Sequence, residues 1–110
     1  MGENLWGEGK ITFPEGSVYE GMFVNDKLNG LGKKLFVGAF INDGYIHEGS
    51  FVDGELHGKG KKVFTNGEIW EGEFLNGEYH GIIKVKRPDG SIREVVFAYG
   101  EKYGEINQKR

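Results

Sequence analysis

No cysteine occurs anywhere in the 110 residues. Disulfides and thiolate metal sites are therefore excluded, and an intracellular setting is expected. No apolar run reaches the roughly 18 residues a membrane-spanning helix needs. The start shows no charged-then-apolar leader. Met1-Gly2 opens like a myristoylation signal, but Trp6 stands where Ser or Thr is required. No phosphate-binding loop is present: Gly58-Lys59 and Gly60-Lys61 lack the upstream glycine and the following hydroxyl residue. Of the three histidines, His57 and His80 lie 80 − 57 = 23 residues apart. In neighbouring hairpins that places them about 10 Å apart, too far to share one metal ion. Ser17, Ser50 and Ser91 have no base and acid in their surroundings. No catalytic residue, metal or cofactor is expected, and the chain is not expected to be an enzyme. A net charge of −3 disfavours nucleic acid and anionic membranes as partners, since both need a basic surface.

Glycine is abundant instead. It fills 20 of 110 positions, against a usual share of about 7%, while proline occurs only twice. The glycines are periodic. HEGSFVDGELHGKGKKVF from His47 and WEGEFLNGEYHGIIKVKR from Trp70 are two copies of one unit, 70 − 47 = 23 residues apart. An earlier copy opens at Tyr19, 47 − 19 = 28 residues upstream, with five extra residues, and a later one opens at Arg93. Gly7, Gly9, Phe13 and Gly16 repeat the spacing of Gly58, Gly60, Phe64 and Gly67. The 1–110 chain is then one domain: a half unit 1–18, units 19–46, 47–69 and 70–92, a partial unit 93–104 and a polar tail 105–110.

The in-phase YEGMF, HEGSF and WEGEF starts with aligned downstream glycines resemble MORN repeats, the membrane occupation and recognition nexus motif. Departures gather late: Ile83 and Val95 stand where glycine is the rule, and Arg87 replaces the aromatic of Phe36 and Phe64. The resemblance implies a non-catalytic scaffold or assembly subunit in cytoskeletal, ciliary or membrane-associated complexes.

The residues themselves predict an all-β fold, an elongated single-layer antiparallel meander of stacked β-hairpins. In each unit the aromatic-Glu-Gly-x-Phe stretch reads as a first strand, with alternate residues on alternate faces. A turn follows near Asn25-Asp26, Asp53-Gly54 or Asn76-Gly77. The second strand is expected to begin after Gly30, Gly58 or Gly81. Val37–Ile46, with its Asp43-Gly44 pair, reads as two prolonged strands forming a protruding apolar tongue.

Two ladders recur. Glu20, Glu48, Glu71 and Glu94 alternate with Lys10, Lys33, Lys61 and Lys84, and read as a solvated face holding register. The ring-bearing face reads differently. Tyr19, Phe23, Phe36, Phe40, Tyr45, Phe51, Phe64, Trp70 and Phe74 are expected to form a groove for a helix or extended peptide of a protein partner. A single sheet has no second layer to cover such a surface. The competing expectation is an anionic-lipid surface made by Lys33, Lys34, Lys61, Lys62, Lys84 and Lys86, with Arg87 beside them. Without evident caps at its ends, the array is also open to self-association through its sheet edges.

Overall fold

The computed structural model describes residues 4–38 and 43–106. They form one nine-stranded sheet whose strands lie side by side in chain order, each antiparallel to the next. The strands are β1 (Gly7–Thr12), β2 (Val18–Val24), β3 (Lys27–Leu35), β4 (Ile46–Val52), β5 (Glu55–Val63), β6 (Ile69–Leu75), β7 (Glu78–Lys86), β8 (Ile92–Ala98) and β9 (Glu101–Ile106). The body extends 60 × 25 × 20 Å. No helix occurs among the described residues.

Two kinds of turn alternate. Within a unit the strands join through two residues, both with positive φ: Asn25-Asp26 (51°, 72°), Asp53-Gly54 (48°, 85°), Asn76-Gly77 (49°, 84°) and Tyr99-Gly100 (51°, 83°). That is the type I′ hairpin, which matches strand twist and favours Asn, Asp and Gly. Between units a three-residue loop ends on glycine. Gly16, Gly67 and Gly90 donate to the carbonyls of Phe13, Phe64 and Arg87, each at 2.9 Å.

The second strands begin earlier than the sequence suggested, at Lys27, Glu55 and Glu78 rather than past Gly30, Gly58 and Gly81. The glycines mark a bulge, not a loop. Gly21 pairs with Gly32 and Phe23 with Leu28, so β3 runs 32 − 28 = 4 residues against 23 − 21 = 2 in β2. The same jump recurs between β4 and β5, and between β6 and β7. A bulge bends the strand and sharpens its twist.

The core follows from that bend. Phe23, Leu28, Phe51, Leu56 and Phe74 are 1–3% exposed and form one cluster, with Leu5, Ile11, Tyr19 and Tyr79 packed against it. Under them runs a row of directly paired glycines on six successive strands: Gly9, Gly21, Gly32, Gly49, Gly60 and Gly72. A Cβ at Gly32 or Gly60 would stand 2.9 Å from a methyl of Leu28 or Leu56, so the leucines fill the room the glycines leave. In the last repeats Ile83 and Val95 continue that row and are themselves buried.

Units are stitched together at their tips. The N–H groups of Asp26, Gly54, Gly77 and Gly100 donate to the carbonyls of Leu5, Leu28, Leu56 and Tyr79 in the preceding unit. Asn29 Oδ1, His57 Nδ1 and His80 Nδ1 accept from the N–H of Asp53, Asn76 and Tyr99. The repeated histidines are thus turn caps.

The five-residue insertion does not prolong its strands: β3 stops at Leu35 and β4 starts at Ile46. No tongue is built by strand extension. The described end of the segment lies back on the sheet, where Tyr45 donates to Val63 O at 2.8 Å and Gly44 is buried. Asp43 is drawn there by a cation on the sheet, the Lys62 ammonium, at 2.9 Å. Residues 39–42 of the expected tongue lie outside the described residues.

Candidate partner-binding face

Strand alternation gives the sheet two unlike faces. One carries charge. Lys10, Glu20, Lys33, Glu48, Lys61, Glu71, Lys84 and Glu94 are paired directly across eight successive strands, alternating in sign at every step. Closest approaches include Lys61–Glu48 at 3.8 Å and Lys86–Glu71 at 3.3 Å. These pairs are exposed or nearly so and hold register more than they add stability.

The opposite face carries the rings. Its central row runs Ile11, Tyr19, Lys34, His47, Lys62, Trp70, Val85 and Arg93. Loop rings extend it at the strand ends. Phe13, Tyr19, Phe36 and His47 follow one another with centroids 4.8, 5.8 and 4.9 Å apart. Phe64, Trp70, Tyr79 and Phe97 form a second group, with Phe64–Trp70 at 5.6 Å and Tyr79–Phe97 at 4.9 Å. Between the groups Asp43 and Gly44 lie on the sheet: Asp43 O bonds His47 Nε2 at 2.7 Å, and Gly44 packs toward Phe64.

The nine rings expected to form a binding groove divide by burial. Tyr19, Phe36, Tyr45, Phe64 and Trp70 are half-buried. Phe23, Phe51 and Phe74 are only 1–3% exposed. They form the floor, each paired across the hairpin with Leu28, Leu56 or Tyr79. Phe40 lies outside the described residues. Tyr79, Phe97 and the His47 ring are additional members. Tyr79 was legible in principle: it falls 79 − 56 = 23 residues after Leu56, at the position that supplies the core leucine.

The six lysines expected to form a lipid-binding stripe do not share a surface. Lys33, Lys61, Lys84 and Lys86 lie on the charged face, three of them between paired glutamates. Lys34 and Lys62, one residue on, point to the ring face by the same alternation. Both are partly taken out of water there. Lys34 Nζ donates to Gly54 O at 2.6 Å and sits 4.6 Å over the Tyr19 ring. Lys62 is 4% exposed. Its Nζ binds both Asp43 carboxylate oxygens at 2.9 Å and stands 5.2 Å from the Tyr79 ring centroid.

Burial shifts the groups on this face as expected. It lowers the Lys34 ammonium, opposed by the charge of Glu55. It lowers His47, against the hydrogen bond its Nε2 donates to the Asp43 carbonyl. It raises Tyr79, and Asp43 raises it further. It raises Tyr19 too, helped by Glu15. Among the described residues no cluster of three or more His, Asp or Glu side chains is placed to hold a metal, and no helix is long and apolar enough to cross a membrane.

A family model described as the MORN repeat matches residues 3–18, 19–38, 47–69 and 70–82. No curated protein matches the chain. Strands β7 to β9 carry the same hairpin pattern past the last matched residue.

Proposed function

The chain belongs to the MORN-repeat family, and from that premise we propose that it is a non-catalytic protein-interaction module. It binds a helix or an extended peptide of a partner across its ring face. The observation that carries this reading is the row of half-buried rings on one face of a sheet with no second layer among the described residues. Rings with one apolar flank packed and one edge free supply much contact area at little cost in side-chain entropy. The charged face exposes Leu31 and Ile82 but carries no such row of rings. A setting within a cytoskeletal, ciliary or membrane-associated assembly rests on the family resemblance.

The test is affinity capture from the native source with the wild-type chain and with Phe36→Ala/Phe64→Ala, followed by identification of captured proteins. Both rings lie at strand ends and outside the buried cluster, so the variant is expected to keep its β-sheet circular dichroism and lose its partner. Capture of the same proteins by the double variant overturns the ring-face reading.

A further inference from the structure

We propose that the cleft between Lys34 and Lys62 is a subsite for one acidic side chain, an aspartate or glutamate, of the protein segment that docks on the ring face. Asp43 is the chain's own occupant of its Lys62 end. This rests on the ring-face reading and adds to it the chemistry of the ligand.

The cleft measures about 180 Å³ and is lined by Lys34, His47 and Lys62 in adjacent strands, with Phe36, Asp43 and Glu55 at its sides. That is room for about six water volumes, enough for a carboxylate and its methylene. Two ammonium groups border it in equivalent positions of successive units, 62 − 34 = 28 residues apart. They are satisfied differently. Lys62 has a carboxylate on it, held through both oxygens. Lys34 has one carbonyl, Gly54 O, and among the described residues forms no ion pair. Glu55 lies on the cleft wall and acts on Lys34 only as a charge at a distance.

An ammonium held over rings and away from water lacks hydration, and gains more from a carboxylate than an exposed lysine does. The Lys62 end shows the complement this environment accepts: a short acidic side chain followed by Gly44, lying along the face. A partner segment that presents Asp or Glu beside an apolar residue would meet Lys34 and the neighbouring rings together. Phosphate is a poorer fit, because its charge of about −2 meets more repulsion than a single carboxylate does from Asp43 and Glu55, which flank the same cleft.

The experiment uses the full chain, immobilised, to select from a phage library of random 12-residue peptides. Enriched peptides are synthesised with a fluorophore and titrated by anisotropy. The expected peptides carry apolar residues and one Asp or Glu. Changing that acid to its amide weakens binding about tenfold or more, the scale of a charge-assisted hydrogen bond. Lys34→Gln removes the distinction between acid and amide, Lys34→Arg keeps it, and Asp43→Asn strengthens binding severalfold by removing the negative charge that competes at the Lys62 end. Thermal melts confirm that each variant is folded. If acid and amide peptides bind equally well, or Asp43→Asn weakens binding, the acidic subsite is refuted. The ring-face reading survives that result provided Phe36→Ala/Phe64→Ala abolishes binding. If that double variant binds as the wild type does, or no peptide is enriched over blank resin, both fall.

Discussion

Replacing Gly49 with alanine tests how the sheet is built. Gly49 sits at φ 147°, a region L residues avoid, and faces Gly60 directly across the β4–β5 pair. A Cβ added there would lie 2.4 Å from the Lys59 carbonyl oxygen and 2.5 Å from Gly60 Cα. Both obstacles are backbone, so no rotamer change relieves them. Backbone strain costs about 1–3 kcal/mol, and overpacking about 1–3 kcal/mol more. The sum, about 2–6 kcal/mol, is a large part of the 5–15 kcal/mol or so that holds a domain of this size. Two other glycines calibrate the effect. At Gly32 the nearest atom is a Leu28 methyl at 2.9 Å, which can swing aside, so alanine there costs less. At Gly104 nothing lies within 4 Å, and alanine is expected to be neutral or to stabilise by up to about 1 kcal/mol. Urea unfolding followed by Trp70 fluorescence and by circular dichroism measures all three. Two probes are needed because arrays of this kind can unfold by parts. The order Gly49 worse than Gly32 worse than Gly104 is expected. A Gly49→Ala variant within about 0.5 kcal/mol of wild type refutes the paired-glycine account.

The turn caps predict that His57→Asn, which installs the residue found at Asn29, is tolerated, whereas His57→Leu loses about 1 kcal/mol in urea melts; equal stability of the two would exclude capping. Asp43→Asn strands a buried ammonium and should destabilise by about 1–3 kcal/mol, less than a fully buried pair because Asp43 is 68% exposed. Adding Lys62→Met should restore most of that loss. His47 is held below its ordinary value by burial, so the folded form binds fewer protons and stability rises with pH. Its contribution is complete above about pH 6.5 and is lost as the pH falls below that. His47→Tyr, the residue at the equivalent Tyr19, should therefore flatten the change in Tm between about pH 7.5 and pH 5; an unchanged slope contradicts this. Lys61→Glu places like charge against both Glu48 and Glu71 and should cost about 1–2 kcal/mol at low salt, less at high salt.

The hairpin order, the turns and the charged row were all legible in the chain, because each rests on local chemistry repeated in phase. Asn, Asp and Gly at fixed places predict type I′ turns, and a period-two pattern places Glu20, Glu48 and Glu71 opposite the lysines. What escaped depends on counting across strands. A two-residue bulge at Gly30 or Gly58 looks in sequence like a loop. Only the register shows that the chain stays paired through it, and that the bend carries Leu28 over the glycine row. Burial of Phe23, Phe51 and Phe74 follows from that bend, so the expected ring set contained three floor residues. The six lysines divide between the faces for a simpler reason: Lys33 and Lys34 are neighbours in sequence and therefore opposites in space. Across Val37–Ile46, β3 stops at Leu35, β4 begins only at Ile46, and Asp43 makes a contact on the sheet. Its carboxylate reaches Lys62, a partner 19 residues away that no local pattern reveals.

Repetition is unevenly spread over the two faces, and the unevenness bears on function. The glycine row, the turns and the alternating charges recur because each specifies how one hairpin lies on the next, and stability in such an array is a sum of neighbour terms. Late in the chain even the glycine row is exchanged, yet Ile83 and Val95 keep the same place buried by filling it from the strand instead of from the tip. The central row of the ring face behaves otherwise. It reads Ile11, Tyr19, Lys34, His47, Lys62, Trp70, Val85 and Arg93, with hydrophobe, ring and cation interchanged at equivalent backbone positions. The backbone tolerates all of them, so stacking does not dictate which one stands where. A face whose shape is fixed by repetition and whose side chains are left free can offer different contacts along its length. A partner segment lying across several units would then be recognised by the order of those contacts, with the Lys34–Lys62 cleft supplying the charged one and the rings on either side supplying the apolar ones.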